Sequence, residues 1–96
     1  MVIHVVMFKF KDDVGNALIK EAREKIEQMI DLVPRLLNIK IGMNFADEDR
    51  AMDMVLISHF ETKDDLDFYA NHPEHLKVLE SIKRIAEYTK VVDFEA

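Results

Sequence analysis

The hydrophobic positions of the chain follow two rhythms, one of period two and one of three to four, and the switches between them predict the elements. Residues 2–11 are rich in Val, Ile and Phe and run out at Lys9, Lys11, Asp12 and Asp13, so they read as a strand. His4, Val6, Phe8 and Phe10 share one face of it; Ile3, Val5 and Met7 share the other. Over 16–33 the spacing changes. Leu18, Ala22, Ile26, Met29 and Val33 recur at three and four, the stripe of a helix buried on one side. Lys20, Glu21, Arg23, Glu24, Lys25 and Glu27 mostly take the other side, Asn16 is the N-cap candidate, and Pro34 stops the helix. Residues 36–45 return to period two, with Leu37, Ile39, Ile41, Met43 and Phe45 alternating with Asn38, Lys40, Gly42 and Asn44. A charged loop over 46–51 leads to a third strand over 52–61. Met54, Leu56 and Phe60 mark one of its faces, and Val55, Ile57 and His59 the other. Thr62 and Asp65 form a capping box for a short helix over 63–71, whose apolar face holds Leu66, Tyr69 and Ala70. His72-Pro73 breaks that pattern, and Pro73 suits the first turn of a further helix that reaches about Glu87. Its predicted stripe is His75, Leu79, Ile82 and Ala86, flanked by Leu76, Val78 and Ile85. Residues 88–95, with Val91, Val92 and Phe94, read as a last strand.

The order β-α-β-β-α-β is the split βαβ arrangement. It predicts an α+β, ferredoxin-like domain over 1–96, with a four-stranded antiparallel sheet and the helices on one face. The other sheet face is then exposed, yet both sides of the first strand and much of the third and fourth are apolar. An apolar sheet face needs a cover, and the simplest is a second copy packed sheet to sheet about a two-fold axis.

Composition narrows the partners. Nineteen acidic residues against 13 Lys and Arg leave a net charge of −6. That balance gives no basic footprint for nucleic acid and no attraction to an anionic membrane. There is no cysteine, which excludes disulfides, thiolate metal sites and a thiol nucleophile. Two glycines exclude a Gly-rich phosphate loop. The apolar start, Met1 to Phe8, is too short for a signal peptide and lacks a basic leader, and no apolar run approaches the roughly 20 residues of a membrane span. The expectation is a cytoplasmic protein.

Four His and two Tyr are the groups able to move protons near apolar surface. Tyr69 and His75 fall on predicted apolar stripes and His4 on an apolar strand face, so all three point toward the space between helices and sheet. A His and a Tyr facing one apolar cavity can deprotonate a carbon acid and stabilise the enolate. Each also has a plainer reading: His4 and His75 as satisfied core residues, Tyr69 as a packed ring with a bonded hydroxyl, His72 as a helix cap, His59 as surface or interface packing. The predicted lining of the cavity is His4, Val6, Phe8, Met54, Leu66, Tyr69, His72, His75 and Leu79. No metal site is expected. His72 and His75 have Pro73 between them, and Asp47-Glu48-Asp49 lacks the spacing of a calcium loop.

Two motifs in order carry a family likeness. The opening Ile3-His4-Val5-Val6-Met7-Phe8-Lys9-Phe10-Lys11, and the stretch from Phe60-Glu61-Thr62 through Tyr69-Ala70-Asn71-His72-Pro73-Glu74-His75, resemble the stress-responsive A/B-barrel (Dabb) domain proteins; Gly42 before the charged loop also fits. The resemblance spans essentially the whole chain. It implies a dimeric α/β barrel in which two ferredoxin-like subunits pack their sheets together. Most members have no assigned reaction. A plant polyketide cyclase of the family closes a linear tetraketide without a cofactor, using a Tyr and a His that match Tyr69 and His75, while its early-strand His matches His4. Its third-strand His is replaced here by Met54. Some plant members hold Mg²⁺ on backbone carbonyls at the end of the first helix, where the matching positions are Ile30, Val33 and Leu36.

Three functions follow as expectations. The first is a homodimer that binds a small apolar carbonyl or aromatic ligand, with no cofactor. The second is a cofactor-free cyclase, lyase or isomerase that uses Tyr69 and His75 for proton transfer. The third, from another family with the same barrel, is a cofactor-independent monooxygenase; the absence of Trp counts against it.

Overall fold

The computed structural model describes residues 1–96. In chain order the elements are β1 (Val2–Phe10), α1 (Asn16–Leu32), β2 (Asn38–Met43), β3 (Met54–Phe60), α2 (Lys63–Asn71), α3 (Pro73–Ile85) and β4 (Ala86–Glu95). The strands form one antiparallel sheet in the order β2-β3-β1-β4, the ferredoxin-like arrangement expected from the alternation of periods.

The register sorts the side chains between faces. Val2, His4, Val6 and Phe8 of β1 lie across from Phe60, Ser58, Leu56 and Met54 of β3, and these rows point toward the helices. Along β3 burial alternates strictly, as one covered face and one open face require. The covered face meets Ile26, Met29 and Val33 of the α1 segment to build the core, together with Leu36, Tyr69 and Val78. Burying a side chain of the size of Ile26, Phe8 or Phe60 stabilises the fold by about 1.5–3 kcal/mol.

Several elements differ in detail from expectation. Asn16 is the first helical residue rather than the cap; Gly15 precedes it, with no side-chain capping bond. Leu18 lies outside the buried stripe, which holds Ala22, Ile26 and Met29. The helix stops at Leu32 because Val33 precedes Pro34 and is held extended. β2 is shorter than its pattern. Asn44 accepts from the Ala46 N–H and donates to the Ala46 carbonyl, turning the chain out of the sheet and leaving Phe45 fully exposed. Leu37, before the strand, is exposed as well.

The largest correction concerns α3. Its buried positions are Val78, Ser81 and Ile85, not the expected stripe of His75, Leu79, Ile82 and Ala86. The helix packs sideways on α1, where Lys25 donates to Ser81 Oγ at 3.1 Å. That rotation turns His75, Leu79 and Ile82 toward the sheet without sealing them in. The helix ends at Ile85, and Ala86 opens β4.

The outer sheet face is apolar and open. Val5 pairs with Ile57 on one side and Val92 on the other, and Ile3 pairs with Phe94. Val92 and Phe94, on the edge strand β4, are 55% and 45% exposed and extend that apolar face to the rim of the sheet.

Candidate functional site

Between α3 and the β1–β4 half of the sheet lies a partly open cavity of about 270 Å³. β1 contributes His4, Val6 and Phe8, β3 contributes Leu56, and β4 contributes Thr89 and Val91. Met29 of α1, Tyr69 of α2, and His75, Val78, Leu79 and Ile82 of α3 complete it. No lysine, arginine or carboxylate lines it.

Six expected lining residues are here: His4, Val6, Phe8, Tyr69, His75 and Leu79. Three are elsewhere. Met54 is buried at the far end of β3, beyond Leu56 on the same inward row. Leu66 lies on the other side of α2, near Val2 and Phe94. His72 caps α3: its Nδ1 accepts from the Glu74 N–H at 3.1 Å. Met29, Leu56, Val78, Ile82, Thr89 and Val91 line the cavity beyond the expected set; Thr89 and Val91 carry no signal in the sequence, since β4 is almost wholly exposed and only its pairing with β1 brings it to the cavity.

The polar groups converge at one end. The Tyr69 ring lies 4.4 Å from that of His75 and 6.2 Å from that of His4, centroid to centroid. Tyr69 also packs on Phe60, 5.0 Å away, and is 1% exposed. Its hydroxyl has no protein partner. Burial without a counter-charge raises its pKa well above the ordinary phenol value, so Tyr69 is a hydrogen-bond donor and not a phenolate.

His75 is held in one tautomer. Its Nδ1 is 2.9 Å from the Ala70 carbonyl, and a carbonyl only accepts, so Nδ1 carries the proton and Nε2 is left as an acceptor. Desolvation lowers the His75 pKa; the Ala70 bond opposes that shift, and charge on His4 adds to it. His4 is oriented from β4, where Asp93 accepts from its Nδ1. Neither Asp93 nor its role is visible in the pattern of apolar residues, since the two partners lie 89 positions apart. His59 faces the open side of the sheet, away from the cavity. In the last turn of α1 Ile30 is exposed, while Val33 and Leu36, beyond the helix, are buried in the core.

The His75 shift has a consequence for stability. Unfolded His75 takes up its proton near the ordinary value of 6.5, whereas the folded protein holds it neutral to lower pH. The unfolded state therefore binds more protons in that window, and stability falls as pH drops below 6.5 toward the folded value. His75→Gln is expected to flatten that segment of the urea midpoint against pH. An unchanged slope would assign the dependence to other groups.

A four-stranded ferredoxin-like sheet with a His- and Tyr-ended apolar cavity beneath its helices defines the class of protein. By sequence the chain belongs to the stress responsive A/B barrel domain (Dabb) family, whose model matches residues 2–96. It is similar to two stress-response A/B barrel domain-containing proteins of Arabidopsis thaliana, at 33% identity over 95 residues to one and 33% over 100 residues to the other. Those matches cover 97% and 100% of the chain but 36% and 47% of the relatives, so the chain spans less than half the length of either. Among solved structures, a dimeric protein of unknown function with a ferredoxin-like fold from Bacteroides fragilis superposes with a TM-score of 0.88 at 30% identity, covering 99% of this chain and 95% of that one. The hydroxynitrile lyase of Passiflora edulis superposes at 0.87 with 20% identity, over 97% and 90% of the two chains, a likeness of fold alone. No helix is long and apolar enough to cross a membrane.

Proposed function

We propose that the chain is a homodimeric binding protein for a small, uncharged, apolar carbonyl or aromatic compound, held in the cavity between α3 and the sheet. The observation that carries this is the cavity itself: nine of its twelve lining residues, Tyr69 among them, are hydrophobic, and His4 and His75 gather around the Tyr69 ring on its wall. At about 270 Å³ it lies just below the common range for ligand sites of roughly 300–1,000 Å³, so the ligand is small. A carboxylate or phosphate would find no lysine or arginine to pair with. The open apolar sheet face supports the dimer, as do the dimeric relatives of the same fold.

Proton transfer on the bound carbonyl compound is the second reading, and the fixed tautomer of His75 favours it. An Nε2 acceptor beside a phenol donor is the arrangement that removes a proton from carbon while an oxygen is held. The absence of Trp counts against oxygenation.

Native mass spectrometry of the freshly purified protein tests the first reading. The expected species is twice the 11.2 kDa chain mass, carrying a small molecule or taking one up when acetophenone is added. A bare monomer with no uptake would remove both the dimer and the ligand site.

A further inference from the structure

The sheet floor of the cavity is made by facing rows of β1 and β4, and its polarity changes along the strands. His4 lies across from Asp93, Val6 from Val91, and Phe8 from Thr89. The His4 end is polar, with the His75 ring gathered there around Tyr69. The middle, at Val6 and Val91, is hydrocarbon. At the far end Thr89 brings a hydroxyl back. With His4 and His75, Thr89 completes the lining residues that are not hydrophobic. Thr89 is exposed on the edge strand, so its side chain is open to whatever enters the cavity and is not sealed in the core. From the His4 row to the Thr89 row is roughly 13 Å, at about 3.3 Å for each residue of strand.

A valine has the same branched shape and would line this floor equally well, as Val91 does one step along the row. The hydroxyl is therefore the feature that needs a reason. We propose that Thr89 is the second oxygen-reading residue of the cavity, and that the ligand is an elongated, uncharged compound with an oxygen at each end of an apolar middle. One oxygen lies at the His4 and His75 end; the other is a hydroxyl or carbonyl at Thr89. A threonine hydroxyl both donates and accepts, so it serves either group. A hydrogen bond of about 2.8 Å at each end leaves roughly 7–9 Å between the two oxygens of the ligand. A ligand hydroxyl set against the hydrocarbon wall would give up water and gain nothing, so only a compound of that length keeps both oxygens satisfied. Thr89 is thereby a specificity-determining residue. The inference rests on reading the cavity as a ligand site and adds to it the length of the ligand and its second polar group.

The test pairs benzylacetone with its para-hydroxy derivative, which share the ketone and differ by a hydroxyl at the far end of the ring. Affinities are measured by NMR titration of wild type, Thr89→Val and Thr89→Ser. Wild type is expected to bind the hydroxy ketone about threefold to tenfold more tightly, the worth of one neutral hydrogen bond. Thr89→Val is expected to bind benzylacetone as wild type does and to lose the preference. Thr89→Ser keeps the hydroxyl and is expected to keep the preference. Equal or weaker binding of the hydroxy ketone by wild type would overturn the second oxygen site and leave the ligand cavity standing. A preference that survives in Thr89→Val would place the partner of that hydroxyl elsewhere and overturn the assignment. Binding of neither ketone by wild type would remove the cavity reading and this site with it.

Discussion

Ile57→Asp is expected to convert the protein from dimer to monomer in native mass spectrometry and gel filtration. Ile57 sits on the open face of the sheet, in a row with Val5 and, beyond it, Val92. That row is central in the sheet, so an interface that covers the face must cover Ile57. A carboxylate placed there is stripped of water against Val5, and Lys40, which pairs with Ile57 from β2, offsets only part of that cost, leaving a few kcal/mol in each copy. The two-fold axis repeats the cost in each copy. Since each 1.4 kcal/mol is a tenfold change in affinity, the dimer is expected to weaken by at least about a thousandfold. The monomer itself tolerates the change, because the side chain points away from Phe8, Leu56 and the helices. A dimer that persists with the aspartate in place would move the interface to another surface.

His75→Ala is expected to abolish proton transfer while leaving the fold intact. The relevant measurement is deuterium uptake at the methyl carbon of acetophenone in heavy water, followed by proton NMR. The Nε2 of His75 is the free acceptor at the polar end of the cavity, since Nδ1 is committed to Ala70. A positioned general base contributes about 10²- to 10⁴-fold, so the variant is expected to fall to the rate of buffer alone. The wild-type rate is expected to hold from neutral pH down past 6.5, because burial keeps His75 unprotonated there, and to fall only at lower pH. Wild-type exchange in His75→Ala would take the base role from this residue. No acceleration by wild type would leave a binding protein without that chemistry.

The elements themselves were legible along the chain because each depends on a local period. β3 alternates without a break, α2 opens at Thr62 with the Asp65 N–H bonded to the Thr62 hydroxyl, and Pro34 and Pro73 punctuate where proline must. The errors fell where a period continues past the point at which the backbone turns. Phe45 keeps the alternation of β2, yet the Asn44 turn carries it into solvent. Ala86 keeps the spacing of α3, yet it pairs with Phe10 in β4.

The candidate site was legible in part. His4, Tyr69 and His75 could be placed on inward faces because side-chain direction follows from the period alone. Met54, Leu66 and His72 could not be separated from them by that rule, since a shared face does not say how far along the element the cavity lies.

Local spacing thus decided which residues are helical or extended, which face of each is apolar, and that the sheet has a second apolar face in need of a cover. Tertiary packing decided the rest. The cavity exists because α3 rolls onto α1 through Val78, Ser81 and Ile85, which leaves His75, Leu79 and Ile82 beside a gap that they do not fill. Asp93 reaches His4 only through the pairing of β4 with β1. Such contacts join residues far apart in the chain, and they depend on how whole elements are rotated against one another, which no repeat within a single element can encode.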